Sequence, residues 1–184
     1  MKEKFINLLK QVEREGISDL IHFLETSDFF TAPASTVHHG NFEGGLLMHS
    51  LKVYELLQHK VKSCVVSIDT NPDTLIIISL LHDICKTNIY KIAYKNDMNE
   101  SGVWEKVPCY TSKDELPLGH GEKSVMMITD FIQLSLEEKM CIRWHMGFSE
   151  PKENYSLLAK AFKQYPLALL LFEADLEATY FFNV

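Results

Sequence analysis

Residues 75–86 read LIIISLLHDICK. The stretch Thr74–Lys86 is apolar nearly all round, and Asn71-Pro72-Asp73 just before it is a helix-start signal. A helix without a polar face has to be covered on every side, so this one predicts a central, buried helix with the other elements packed around it. Its end is chemically out of place. His82 and Asp83 put an imidazole and a carboxylate side by side at the end of a buried helix. That arrangement is unfavourable unless something pairs with both groups, and a bound cation is one such partner.

Working outward, most of the chain is also helical in pattern. Phe5, Leu8, Leu9, Val12, Ile17, Leu20, Ile21 and Leu24 recur at helical spacing, loosened near Gly16. Residues 28–43 carry Pro33, Gly40, Ser and Thr and read as a loop, and a helix from Gly45 to Val61 follows. IYKIAY and VWEKVPCY are rich in β-branched and aromatic residues and flank the turn-forming KNDMNESG, which predicts a β-hairpin near 89–111. Gly119–Leu134 reads as a helix. Ser135-Leu136-Glu137-Glu138 has capping-box spacing and should start another, reaching about Met146. A last helix over Ser156–Tyr180 should be interrupted near Pro166. The expected fold is therefore mostly α with a small inserted hairpin, in a single domain over residues 1–184.

Composition narrows the function. Of 184 residues, 46% are hydrophobic and 23% charged, the balance of a globular protein with a sizeable core. No run long enough to span a membrane occurs, and the N-terminus lacks the pattern of a secretory signal, so a cytoplasmic protein is expected. Cys64, Cys85, Cys109 and Cys141 form no CxxC pair, which argues against a zinc ribbon and for reduced thiols. The formal charge of −7 disfavours a long nucleic-acid footprint but not a small phosphorylated ligand beside a metal ion.

Further histidines and one aspartate stand in company as unusual as that of His82-Asp83. His49 lies in the apolar GGLLMHSLKV, His120 at a helix start in LPLGHGEKS, and His145 at a helix end in IRWHMG. Asp175 is embedded in LLLFEADLEA. One histidine on an apolar helix face is more often a hydrogen-bonded core residue than a ligand, and one aspartate can cap a helix or pair with a base. The set is what carries weight: five helical segments each offer a donor suited to a divalent metal. His22 reads as structural and His59 as solvated.

In this order and context the residues resemble the HD-domain metal-dependent phosphohydrolases, whose pattern is His, then His-Asp, then a distant Asp. His49, His82-Asp83 and Asp175 match it, and GGLLMHSLKV and ADLEA resemble the helices that carry the first and last ligands. The resemblance covers residues ~35–180 and implies an HD-domain-like helical bundle. Some members add two histidines and a second metal. His120 and His145 fall in that interval, so Asp83 would bridge two ions, although Met146 stands where some two-metal members carry a further histidine. HHGNFEGGLLMHS is also similar to the HD domains of a bacterial exoribonuclease group, whose extra nucleic-acid-binding domain this chain has no room for.

The chemistry implied is hydrolysis of a phosphoester, of a nucleotide or short oligonucleotide, by hydroxide generated at one or two divalent ions (Mn, Fe, Co, Ni, Zn or Mg). Asp83 would orient or deprotonate the nucleophile. Lys86, one turn after Asp83, would bind a phosphate oxygen, as could Lys123, His38 and His39. Arg143 should point away from His145 and form an ion pair, and Glu122 could cap its helix. Tyr94, Trp104 and Tyr110 in the hairpin would pack it to the bundle, or form a lid or a stacking surface for a base. Two rival readings are a regulatory module that holds metal and nucleotide without turnover, and a helical domain whose histidines are purely structural. Oligomeric state is left open by the sequence.

Overall fold

The computed structural model describes residues 1–37 and 39–184. The helix start read at Asn71 is present: its side-chain oxygen accepts from the Asp73 N–H at 3.0 Å, with Pro72 in the first turn. The helix it opens, α4 (Pro72–Leu81), is buried at every position from Ile76 to Leu81. Around it lie α1 (Lys2–Leu9), α2 (Ile17–Thr26), α3 (Gly45–Ser63), α5 (His120–Thr129), α6 (Leu136–Arg143), α7 (Tyr155–Gln164) and α8 (Pro166–Phe182). Helix α3 packs on α4 and α8, and α6 packs on α4, α5 and α8. The mostly-α architecture with an inserted hairpin is thus present, 55% helical. Among the described residues, no helix is long and apolar enough to cross a membrane, and the four cysteines are free.

Several elements are shorter than their sequence pattern. The central helix stops at Leu81 instead of running to Lys86. His82 is its C-cap, Asp83 leaves helical geometry at φ −107°, ψ 18°, and Ile84–Lys86 form a 3₁₀ turn. The Ser79 carbonyl explains the break. In a continuous helix it would accept from the Asp83 N–H, but here the His82 ring Nδ1 donates to it at 2.9 Å. Helix α5 ends at Thr129, whose hydroxyl donates back to the Val125 and Met126 carbonyls. The first amphipathic stretch is two helices, separated at Gly16 with φ +85°, where an added Cβ would strike the Phe131 carbonyl. The break before Pro166 falls at Tyr165, which leaves helical geometry at φ −128°, ψ 81°, the helical region being disfavoured before proline.

The capping box at α6 is complete, Ser135 and Glu138 each taking the other's backbone N–H. Glu138 also ties α6 to α4 and to the connection between α1 and α2. Its carboxylate accepts two 2.7 Å bonds from Arg14 and one of 2.8 Å from the Thr74 hydroxyl, and it is fully buried.

The hairpin pairs β1 (Tyr90–Met98) with β2 (Trp104–Ser112), antiparallel, Tyr94 opposite Pro108. Its base is anchored. The Tyr90 hydroxyl donates to the Ala34 carbonyl at 3.3 Å, and Tyr90 meets Tyr110 edge to face. Its outer part is not. Tyr94 and Trp104 are 69% and 66% exposed, so of the three aromatics expected to pack it to the bundle only Tyr110 lies at the anchored end.

Candidate metal centre

Helices α3, α4 and α8 deliver His49, His82 and Asp175 to one place, and the turns after α4 and α6 add Asp83 and His145. His49, His82 and His145 are fully buried, Asp83 nearly so, and Asp175 half-buried. His49, His82 and Asp83 form one group whose donor atoms all lie within 4.8 Å of one another, and His82, His145 and Asp175 form a second. His82 is common to both, so the five side chains make one continuous cluster.

Each imidazole is held in one tautomer. Nδ1 of His49 lies 2.9 Å from the Val184 backbone oxygen, Nδ1 of His82 2.9 Å from Ser79 O, and Nδ1 of His145 2.7 Å from Ile142 O. These oxygens can only accept, so each Nδ1 carries a proton, and a ring in its neutral form presents a lone pair at Nε2. Those lone pairs converge. Nε2 of His49 is 3.2 Å from Nε2 of His82 and 3.1 Å from Asp175 Oδ1. His82 Nε2 stands 3.4 Å from Asp83 Oδ2, and His145 Nε2 3.5 Å from Asp83 Oδ1. Lone pair facing lone pair at these distances is repulsive unless a positive centre lies between them. A second proton on His49 relieves two of the contacts. A divalent cation relieves all of them, and donors sharing one ion at bond lengths of about 2.0–2.2 Å stand about 3.0–3.5 Å apart. His145 Nε2 and Asp83 Oδ1 are buried atoms without a hydrogen-bond partner, as a pair of ligand atoms would be. The residues therefore fit a divalent ion. Histidine with its second nitrogen bonded to a carbonyl is the usual support of a metal-ligating imidazole.

The charges agree. Burial alone would raise the Asp83 carboxyl, but the charge of the adjacent Lys86 ammonium holds it well below the usual carboxylate range. Burial is likewise overcome at Asp175 when His49 carries a second proton, whose hydrogen bond and charge bring the carboxyl down to about 2. Both present anionic oxygens at neutral pH.

Lys86 is not a solvated helix-end lysine; it is largely buried and its ammonium lies 2.7 Å from Asp83 Oδ2. His39 packs its ring against His49, centroids 5.3 Å apart, with a buried, unpartnered Nδ1. Burial, then the charge of Lys86, pushes its pKa down to about 4, so the ring is neutral at pH 7. His38 lies outside the described residues. His120 is at the exposed edge of the cluster, its Nδ1 3.4 Å from Cys85 Sγ, and belongs to neither donor group. Lys123 is buried and bonded to Asp114 at 2.7 Å. Arg143 forms the expected ion pair, with Glu150 at 2.7 Å and Glu122 at 2.6 Å. Glu122 is therefore Arg143's partner, not a helix cap.

Two contributors escaped the sequence pattern. Cys85 beside His120 was within sight, three residues after His82, but a cysteine in an apolar run reads as core. The Val184 oxygen is a backbone atom 135 residues from His49 and has no signature in sequence.

No family model matches the chain, and the searches of curated proteins and of solved structures likewise found no match.

Proposed function

We propose that this chain is a metal-dependent phosphohydrolase of the HD-domain type, cleaving a phosphoester of a small substrate, a nucleotide or short oligonucleotide. The observation that carries the reading is the set of three buried imidazoles, each with Nδ1 committed to a backbone oxygen and Nε2 turned toward Asp83 and Asp175. His49, His82, Asp83 and Asp175 would hold one divalent ion, and His145, with His120 at the rim, would extend the site toward a second. Such an ion supplies hydroxide near neutral pH and polarises the phosphoryl oxygen.

The chain's own groups divide the remaining work. Asp83 would orient the attacking water, or take its proton, while ligating. Lys86 neutralises the other Asp83 oxygen and provides the cation for a phosphate oxygen entering beside it. His39, neutral and with a free ring nitrogen, lines the same approach. Lys123, bonded to Asp114, would be a further cation for the substrate phosphate. The net charge of −7 favours a small substrate over a long nucleic acid.

The test is metal content of protein purified without chelator, together with Mn²⁺-supported hydrolysis of bis-p-nitrophenyl phosphate. Near-stoichiometric transition metal and turnover are expected. Asp83→Ala should lower both metal occupancy and turnover, turnover by at least about 100-fold. Absence of metal, or full activity in Asp83→Ala, would falsify the reading. Metal and nucleotide binding without turnover would instead identify a regulatory module built on the same donors.

A further inference from the structure

The hairpin has two edges, and they are not equivalent. Bonds at its two ends set the pattern of its ladder: Lys113 N–H donates to Ile89 O at 2.9 Å and Asn99 N–H to Val103 O at 3.0 Å. Both join odd-numbered residues in the register that pairs Tyr90 with Ser112. Pairs alternate between bonded and non-bonded along an antiparallel ladder, so Lys91, Ala93, Lys95 and Asp97 bond across the hairpin. The N–H and C=O groups of Tyr90, Ile92, Tyr94 and Asn96 then point out along the free edge of β1. Among the described residues, no hydrogen bond from outside the hairpin reaches those groups. The Met98 N–H is turned to the carboxylate of its neighbour Asp97, at 3.0 Å. The β2 edge is different. Pro108, opposite Tyr94, occupies an outward position and has no N–H to offer.

A two-stranded ribbon with an unpaired edge is marginal in water, and this one also exposes Ile92, Tyr94, Met98 and Trp104 on a single face. We propose that the β1 edge pairs with β1 of a second copy of this chain, antiparallel about Tyr94, giving a four-stranded sheet ordered β2–β1–β1–β2.

Charge and strand length together select the register: centring on Asn96 would also set Lys95 opposite Asp97, but pairs only residues 94–98 of the strand. Outward groups can meet only when even residues face even residues. Centred on Tyr94, the pairing sets Lys91 opposite Asp97 of the second copy, twice by symmetry, and Lys95 opposite Ala93. Centring it on Ala93 sets Lys91 against Lys95, and centring it on Lys95 sets that lysine against itself; both juxtapose like charges. The Tyr94-centred register also uses all nine residues of the strand. The within-chain contact Lys95–Asp97, 3.1 Å and more than half exposed, gives way readily to the new pair. Pro108 closes the outer edges, so assembly stops at a two-fold dimer.

The experiment is the mass in solution, by light scattering and sedimentation equilibrium over a concentration series. A reversible dimer is expected for the unaltered chain. Tyr94→Pro removes an outward N–H together with the ring, takes no bond from the hairpin's own ladder, and should give a monomer; Tyr94→Ala, which removes the ring and keeps the N–H, should retain the dimer. Lys106→Pro, at an outward position of the β2 edge, should leave the dimer unchanged. Lys91→Asp should weaken association about tenfold or more, and adding Asp97→Lys should restore it. Circular dichroism verifies the fold of each variant. A monomer at every concentration, or a dimer indifferent to both Tyr94→Pro and Lys91→Asp, overturns the proposal.

Discussion

Glu138 shows what one buried carboxylate does for this fold. It is fully enclosed, yet Arg14, the Thr74 hydroxyl and the Ser135 N–H satisfy it. Burial pushes its pKa up, but the Arg14, Ser135 and Thr74 hydrogen bonds win and lower it from the ordinary 4.5. A carboxyl lowered on folding contributes stability above its unfolded pKa and loses it as pH falls through the folded value. Urea titrations from pH 6 downward should therefore show stability falling below pH about 4.5, and Glu138→Gln should flatten that fall. At neutral pH, Glu138→Ala should destabilise by about 3 kcal/mol, the low end for breaking a buried pair because Arg14 keeps some solvent contact. A loss below ~1 kcal/mol would show that water replaces the carboxylate.

At the level of elements, the same local device is used twice. His82 and His145 each stand just past a helix end and donate Nδ1–H to the carbonyl three residues back, Ser79 O and Ile142 O. The bond stops the helix and aims Nε2 in one step. It explains why α4 and α6 end short of their apolar patterns, and why Asp83 is free to leave helical geometry. The end of α6 is held against α5 at Gly121, where an added Cβ would run into the Arg143 backbone. Gly121→Ala should therefore cost about 1–3 kcal/mol in thermal or urea unfolding, and should weaken metal retention by displacing His145 relative to Asp83. Wild-type stability in Gly121→Ala would mean that α5 shifts freely.

On the scale of the whole molecule, the bundle and the hairpin are separable. The cluster is built by α3, α4, α6 and α8, while β1 and β2 contact chiefly each other. Replacing residues 92–110 by a short turn keeps Tyr90 and its bond to Ala34. It should leave the melting temperature within a few degrees and the metal content unchanged. A drop beyond ~10 °C would show that the ribbon supports the core.

Much of this protein is legible from local sequence. The helical periodicities, the Asn71 start, the Ser135 capping box, the break at Pro166 and the hairpin each depend on residues close in the chain. So does the suspicion attached to His82-Asp83, since a charged pair at the end of an apolar helix is anomalous wherever the helix goes. What only the tertiary structure decided is which groups meet. His49 finds its acceptor at Val184, and Glu138 its cation at Arg14, 124 residues away. Lys86 turns inward to Asp83, and His145 joins the cluster of His49 and His82 while His120 stays at the rim. These outcomes follow from helix rotation and from where helices end. Both depend on backbone carbonyls, which every residue carries and no sequence pattern marks.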